Sequence, residues 1–98
     1  MPVQLRRYEV IAGQMDDLLA WFPTIIGVRE QFGFKVEFMF VDRDRNEVTW
    51  AVSHPGDFDA AFEVFAASPE REAAFAGQPN RVSTMHVAMV ETAFAPTD

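Results

Sequence analysis

The sequence predicts an α+β domain: one antiparallel four-stranded sheet with helices on one face. Segments of strand period (two) and of helical period (3.6) follow one another in the order β-α-β-β-α-β. The strands carry apolar side chains on both faces, so helices alone do not cover the sheet. Ninety-eight residues suffice for one core but not two, so residues 1–98 read as a single domain with its core in 3–91 and a tail from 92 to 98.

The first strand spans 3–11, rich in β-branched and aromatic residues and stopped by Ala12-Gly13. Val3, Leu5, Arg7, Glu9 and Ile11 share one face; Gln4, Arg6, Tyr8 and Val10 share the other. From Gln14 to Phe32 the period becomes helical, with Met15, Leu18, Leu19, Phe22, Ile25, Ile26 and Arg29 on the repeat. Asp16 and Asp17 suit the positive end of the helix dipole. Pro23 and Gly27 predict a kink near Phe22 or two short helices meeting there, and Gly33 predicts the stop. Arg29 and Glu30, near the end of this helix, read as a solvated ion pair.

A hairpin follows. In 34–42, Phe34, Val36, Phe38 and Phe40 fall on one face by simple alternation, and Lys35, Glu37, Met39 and Val41 on the other. The charged run 42–46 is an exposed connection, and 47–54 returns with Val48, Trp50, Val52 and His54 on one face. Trp50 reads as core or as the floor of a pocket. Asp57 is an N-cap before the stripe Phe58, Ala61, Phe62 and Phe65; Ser68-Pro69 restarts a short helix that runs to Phe75 or Ala76. The last strand is 82–91, with Val82, Thr84, His86, Ala88 and Val90 on one face. This order is the ferredoxin-like split βαβ arrangement. Its open face would be an apolar patch too large to leave wet, which predicts a homodimer through the sheet.

Fifteen acidic against eight basic residues give a formal charge of −7, which argues against nucleic acid or an anionic membrane as partner. Without cysteine there is no disulfide, thiolate nucleophile or Cys-ligated metal, and cytoplasm is the expected compartment. No stretch approaches the ~18 apolar residues of a spanning helix. Pro2 follows Met1, so its nitrogen is an amide rather than a catalytic amine.

Several features resemble the NIPSNAP-like branch of the dimeric α/β-barrel superfamily. They are Leu5-Arg6-Arg7-Tyr8 in the first strand, 28-VREQFGF-34 at the end of the first helix, Asn46-Glu47 before the Trp50 strand, and 67-ASPER-71. The resemblance spans roughly residues 3–91. It implies two sheets packed face to face across a dimer and a cleft in each subunit between sheet and helices. Members of the wider superfamily use such clefts for cofactor-free oxygenation, haem breakdown, muconolactone-type isomerisation or chlorite chemistry.

Within such a cleft the candidate catalytic residues are Tyr8, Arg7 and His86, and the candidate substrate-binding residues are Arg6, Trp50, His54 and Phe22. A phenol beside a guanidinium can orient a carbonyl or enolate oxygen, and Trp50 would supply an aromatic wall. The competing reading pairs Arg6 and Arg7 with Glu9, Glu37 or Glu47 across the sheet. His54 with Asp57 and Asp59 is spaced as a turn and N-cap rather than a chelate, so no metal and no cofactor is expected. The expectation is thus a site for a small aromatic or polyketide-like molecule, transformed by a cofactor-independent monooxygenase or isomerase. The alternative is a non-catalytic homodimeric binding or assembly module.

Overall fold

The computed structural model describes residues 2–95. The elements are β1 (Val3–Val10), α1 (Met15–Gln31), β2 (Lys35–Asp42), β3 (Glu47–Ser53), α2 (Phe58–Ala66), α3 (Pro69–Phe75) and β4 (Val82–Val90). Every strand pairing is antiparallel, and the lateral order is β2-β3-β1-β4. This is the expected ferredoxin-like sheet with its helices on one face. Residues 92–95 form no further helix or strand, and the rest of the expected tail, 96–98, lies outside the described residues.

α1 is one helix of 17 residues, so two short helices are not realised. Proline 23 removes a single backbone donor, and its ring lies on the exposed side together with Thr24 and Gly27. Met15, Leu18, Phe22, Ile25 and Val28 are buried on the other side, and their packing holds the helix through that loss. The second helical region breaks where Ser68 caps α3. Its Oγ accepts from Arg71 N at 3.1 Å and donates to Phe65 O at 2.6 Å. Asp57 caps α2 through Ala60 N at 3.1 Å.

Simple alternation fails in both edge strands. Val36 pairs with Val52, but Phe38 pairs with Ala51, so the register slips by one residue at Glu37. Phe34 and Val36 therefore face the helices, while Phe38 and Phe40 face the opposite side, stacked at 4.8 Å. A second irregularity between Val10 and Glu9 of β1 sets Val82 of β4 on the helix side with Met85, Val87 and Met89, away from Thr84 and His86. The single-face groupings expected for residues 34–40 and 82–90 are corrected accordingly.

The core lies between the sheet and α1 and α2. Tyr8, Val10, Val48, Trp50, Val52 and Phe34 supply it from the sheet side. The open face carries Val3, Leu5, Phe38, Phe40, Ala88 and Val90 among polar neighbours, and Phe40 is 66% exposed.

At one end of the sheet, His54 fastens β3 to the end of α1. Its Nδ1 accepts from Gly56 N at 2.9 Å, so Nε2 carries the hydrogen that faces Phe32 O at 3.0 Å. Gly33 sits beside this ring at φ +87°, and a Cβ there would lie 2.8 Å from His54 Nε2. Gly33→Ala is therefore expected to lower the unfolding free energy in urea by about 1–3 kcal/mol. Gly27→Ala, in helical backbone with open space around it, should instead raise stability by up to about 1 kcal/mol. A Gly33→Ala variant as stable as the wild type would contradict the assignment of strain to Gly33.

Candidate functional site

A cleft of about 490 Å³ opens between the sheet and the helices. Its floor is Arg6 and Tyr8 of β1, Trp50 of β3 and Met85 of β4; its roof is Leu18, Phe22, Ile25 and Arg29 of α1. Phe62, Phe65 and Arg71 form one side, and Gln78 to Val82 form the mouth. The roof residues are spaced at i, i+4, i+7 and i+11, so one helical stripe delivers all four. Trp21 closes the end: its Nε1 donates to Ala74 O at 2.9 Å and its ring meets Phe75 at 4.8 Å, tying α3 to α1.

Trp50, 1% exposed, is both core and floor. Tyr8 meets it edge-on at 6.1 Å and Phe22 at 5.5 Å. Arg6 lies across this cluster, its guanidinium carbon 5.6 Å from the Trp50 ring and 5.7 Å from the Tyr8 ring. Arg6 Nε donates to Tyr8 Oη at 2.7 Å and Nη1 to Gln4 Oε1 at 2.7 Å. The competing pairing of Arg6 with a strand carboxylate gives way to bonds to neutral oxygens. The phenol and guanidinium expected to act together are in contact.

Arg29 departs furthest from expectation. Rather than pairing with Glu30 in solvent, it is 4% exposed. Its guanidinium carbon lies 5.0 Å from the Trp50 ring and 4.7 Å from the Phe65 ring. Ring faces replace part of the lost hydration. They do not replace hydrogen bonds: Nε and Nη1 are buried without a partner. Burial first, then repulsion from Arg6 and Arg71, lowers its pKa to about 10 against a smaller rise from Tyr8. The group stays cationic at neutral pH, at a folding penalty on the order of 3 kcal/mol.

Half of the chain's eight basic residues, Arg6, Arg29, Arg71 and Arg81, line this cleft. The ion pairs among the described residues, Lys35–Glu37, Arg43–Asp16 and Arg45–Asp42, involve none of them. No carboxylate, imidazole or thiol of the described residues lines it. The site is rich in N–H donors and lacks a strong base. Tyr8 is the lining group best able both to give and to take a proton.

The other predicted site residues fall elsewhere. Phe22 is in the roof, but Arg7 and His86 are neighbours across the β1–β4 register on the open face. The thickness of the sheet separates them from the cleft, because strand neighbours of Arg6 and Val87 must point the other way. His54 is engaged at the sheet end with Phe32 and Gly56, outside the cleft lining. Among the described residues, no group of three or more His, Asp and Glu side chains converges as a metal site.

The buried charge yields a stability prediction. Arg29→Met is expected to raise the unfolding free energy at pH 7 by about 1–3 kcal/mol, read from urea denaturation. A base with a depressed folded pKa destabilises the fold below that pKa. The advantage of the variant should therefore shrink as pH rises through about 10, where the wild-type group sheds its proton. A variant less stable than wild type at pH 7 would show that Arg29 is held by contacts stronger than its desolvation.

No family model matches this chain, and no curated protein does. Solved structures do. An uncharacterized NIPSNAP domain protein from Burkholderia xenovorans superposes with a TM-score of 0.81 at 20% identity, over 99% of this chain and 100% of that one. A nipsnap family protein of unknown function from Agrobacterium tumefaciens gives 0.85 at 15% identity, over 98% and 92%. A protein named as a candidate antibiotic biosynthesis monooxygenase, from Bacteroides thetaiotaomicron, gives 0.75 at 18% identity, over 99% and 93%. At such identities the likeness is one of backbone architecture. This chain has the ferredoxin-like fold of the NIPSNAP domain proteins, shared with antibiotic biosynthesis monooxygenase-like structures.

Proposed function

We propose that this chain binds a small, oxygen-bearing aromatic molecule in the cleft and that two copies pair through their open sheet faces. The observation that carries the first part is the contact of Tyr8 Oη with Arg6 Nε at 2.7 Å, beside Trp50, in a cavity with apolar walls. Phe62 and Phe65 line that cavity without filling it, which favours a ligand site over a purely structural module.

The reaction class that fits best is cofactor-independent oxygenation of a hydroxyaromatic. One ring C–H carbon becomes a quinone carbonyl, one atom of O₂ enters the product and the other leaves as water, and the substrate supplies all four electrons. Such a substrate brings its own acidity, so the protein's task is to hold the developing oxyanion with the Arg6 and Tyr8 donors. An isomerase would have to carry a proton between carbons, and Tyr8 alone would serve as its base. The fold shared with the Bacteroides thetaiotaomicron protein agrees with the oxygenase reading. Arg6, Tyr8, Phe22 and Trp50 are the residues assigned to this site; the compartment assigned is the cytoplasm.

For the pair, the supporting feature is Phe40, 66% exposed and stacked on Phe38 on the uncovered side of the sheet, the side to which β1 and β4 contribute Leu5 and Val90. Sedimentation at micromolar concentration is expected to give the mass of two chains, and Phe40→Glu to shift the population to single chains. A wild type that sediments as single chains would remove the dimer from the proposal.

Ligand binding is tested by thermal shift with 1-naphthol and 1,4-naphthoquinone. Stabilisation is expected for the wild type and a clear reduction for Tyr8→Phe. Identical shifts in both proteins would detach binding from this cleft, and the absence of a shift with either compound would argue against the site.

A further inference from the structure

Among the described residues, the buried side-chain polar atoms without a partner are Arg29 Nε, Arg29 Nη1, Trp50 Nε1 and Arg81 Nε. All are N–H donors, and all belong to residues that line the one cleft. Folding has stripped these groups of water without giving them an acceptor, a state that proteins rarely tolerate. Arg6 and Arg71 are also each close enough to Arg29 to repel it. Arg6 and Arg29 share the Trp50 ring, and Arg29 and Arg71 share the Phe65 ring. An uncharged carbonyl or phenol oxygen could accept from a donor but would leave the repulsion between the guanidiniums in place. An oxyanion relieves both at once.

We infer that the cleft is a site for an organic acid, whose carboxylate or phosphate oxygens sit on Arg29 and Trp50 Nε1 while its apolar body lies along Phe22 and Ile25. This inference rests on the ligand site assigned above and names its chemistry. A guanidinium offers paired donors in the geometry of an oxyanion, and the enclosing rings keep water from competing. Arg71 and Arg81, toward the mouth, add positive potential in a chain whose total charge is −7.

The test is calorimetric titration of the full chain at pH 7 and low salt with four probes: 2-naphthoate, 2-naphthyl phosphate, 2-naphthamide and inorganic phosphate. The two organic anions are expected to bind at least ~10-fold more tightly than the neutral amide, as charge-assisted pairing in a dry site implies. Whichever of naphthoate and naphthyl phosphate binds more tightly identifies the head group. In Arg29→Met the preference for the anion should vanish while the amide still binds. Arg81→Gln, at the mouth, should weaken the anions by ~3-fold or more without unfolding the core.

Equal affinity for naphthoate, naphthyl phosphate and naphthamide would overturn the anion inference and leave the aromatic site standing. No binding of any naphthyl probe would overturn both. An anion preference that survives in Arg29→Met would remove Arg29 from the site. Inorganic phosphate bound as tightly as naphthyl phosphate would overturn the role of the apolar walls.

Discussion

Trp50 is the piece against which both layers are set. It sits in β3, an inner strand of the sheet, where Tyr8 and Phe22 meet its edges and faces from the sheet and helix layers. A side chain of that size in an inner strand fixes how far α1 must stand off from the sheet. Where the ring fills the gap, there is core. Where it stops short of α1 and α3, there is the cleft. Fold and candidate site are therefore two consequences of one residue's volume. The two guanidiniums that lean on the ring, Arg6 and Arg29, inherit their positions from it.

The arrangement trades stability for a chemical capacity. An apolar residue at position 29 would continue the stripe of Leu18, Phe22 and Ile25 and complete the core. The chain instead places a guanidinium there, with rings for neighbours and two donors unmatched. Strain of this kind, held in place by rigid packing, is a common property of sites prepared for a ligand. The lack of a carboxylate or imidazole in the lining points the same way. On the function proposed above, such a lining receives negative charge and leaves proton removal to the substrate or to Tyr8.

Much of this was legible in the residues. The order of elements, the Asp57 and Ser68 caps and the Gly33 stop all follow from local chemistry, because each depends on neighbours a few positions away. The facing of Phe38 and Phe40 did not follow. A strand apolar on both sides gives alternation no contrast from which to detect an extra residue, so the slip at Glu37 left no trace in the pattern. Arg29 falls on the helical repeat, yet charged residues are usually solvated, so spacing and residue type point opposite ways there. Its position at four beyond Ile25 was the signal that it belongs to the buried stripe. Arg71 and Arg81 join the cleft only through the docking of α3 and the loop to β4, which no local spacing encodes. Arg7 and His86 were candidates by residue type alone, and the pleat turns them to the other side of the sheet.

The irregularity in β2 has a further consequence for how this chain can vary over generations. Upstream of Glu37 the even-numbered aromatic faces inward, and downstream it faces outward, so a single residue separates the two regimes. Loss of the Glu37 codon would leave a regular strand with every facing kept, whereas loss of any neighbouring codon in the paired stretch would exchange inside for outside beyond it; the exposed run 43–45 could lengthen or shorten with little effect on either. Tolerance to insertion and deletion is thus sharply uneven within one hairpin, and in strand two the single expendable position is the irregular one.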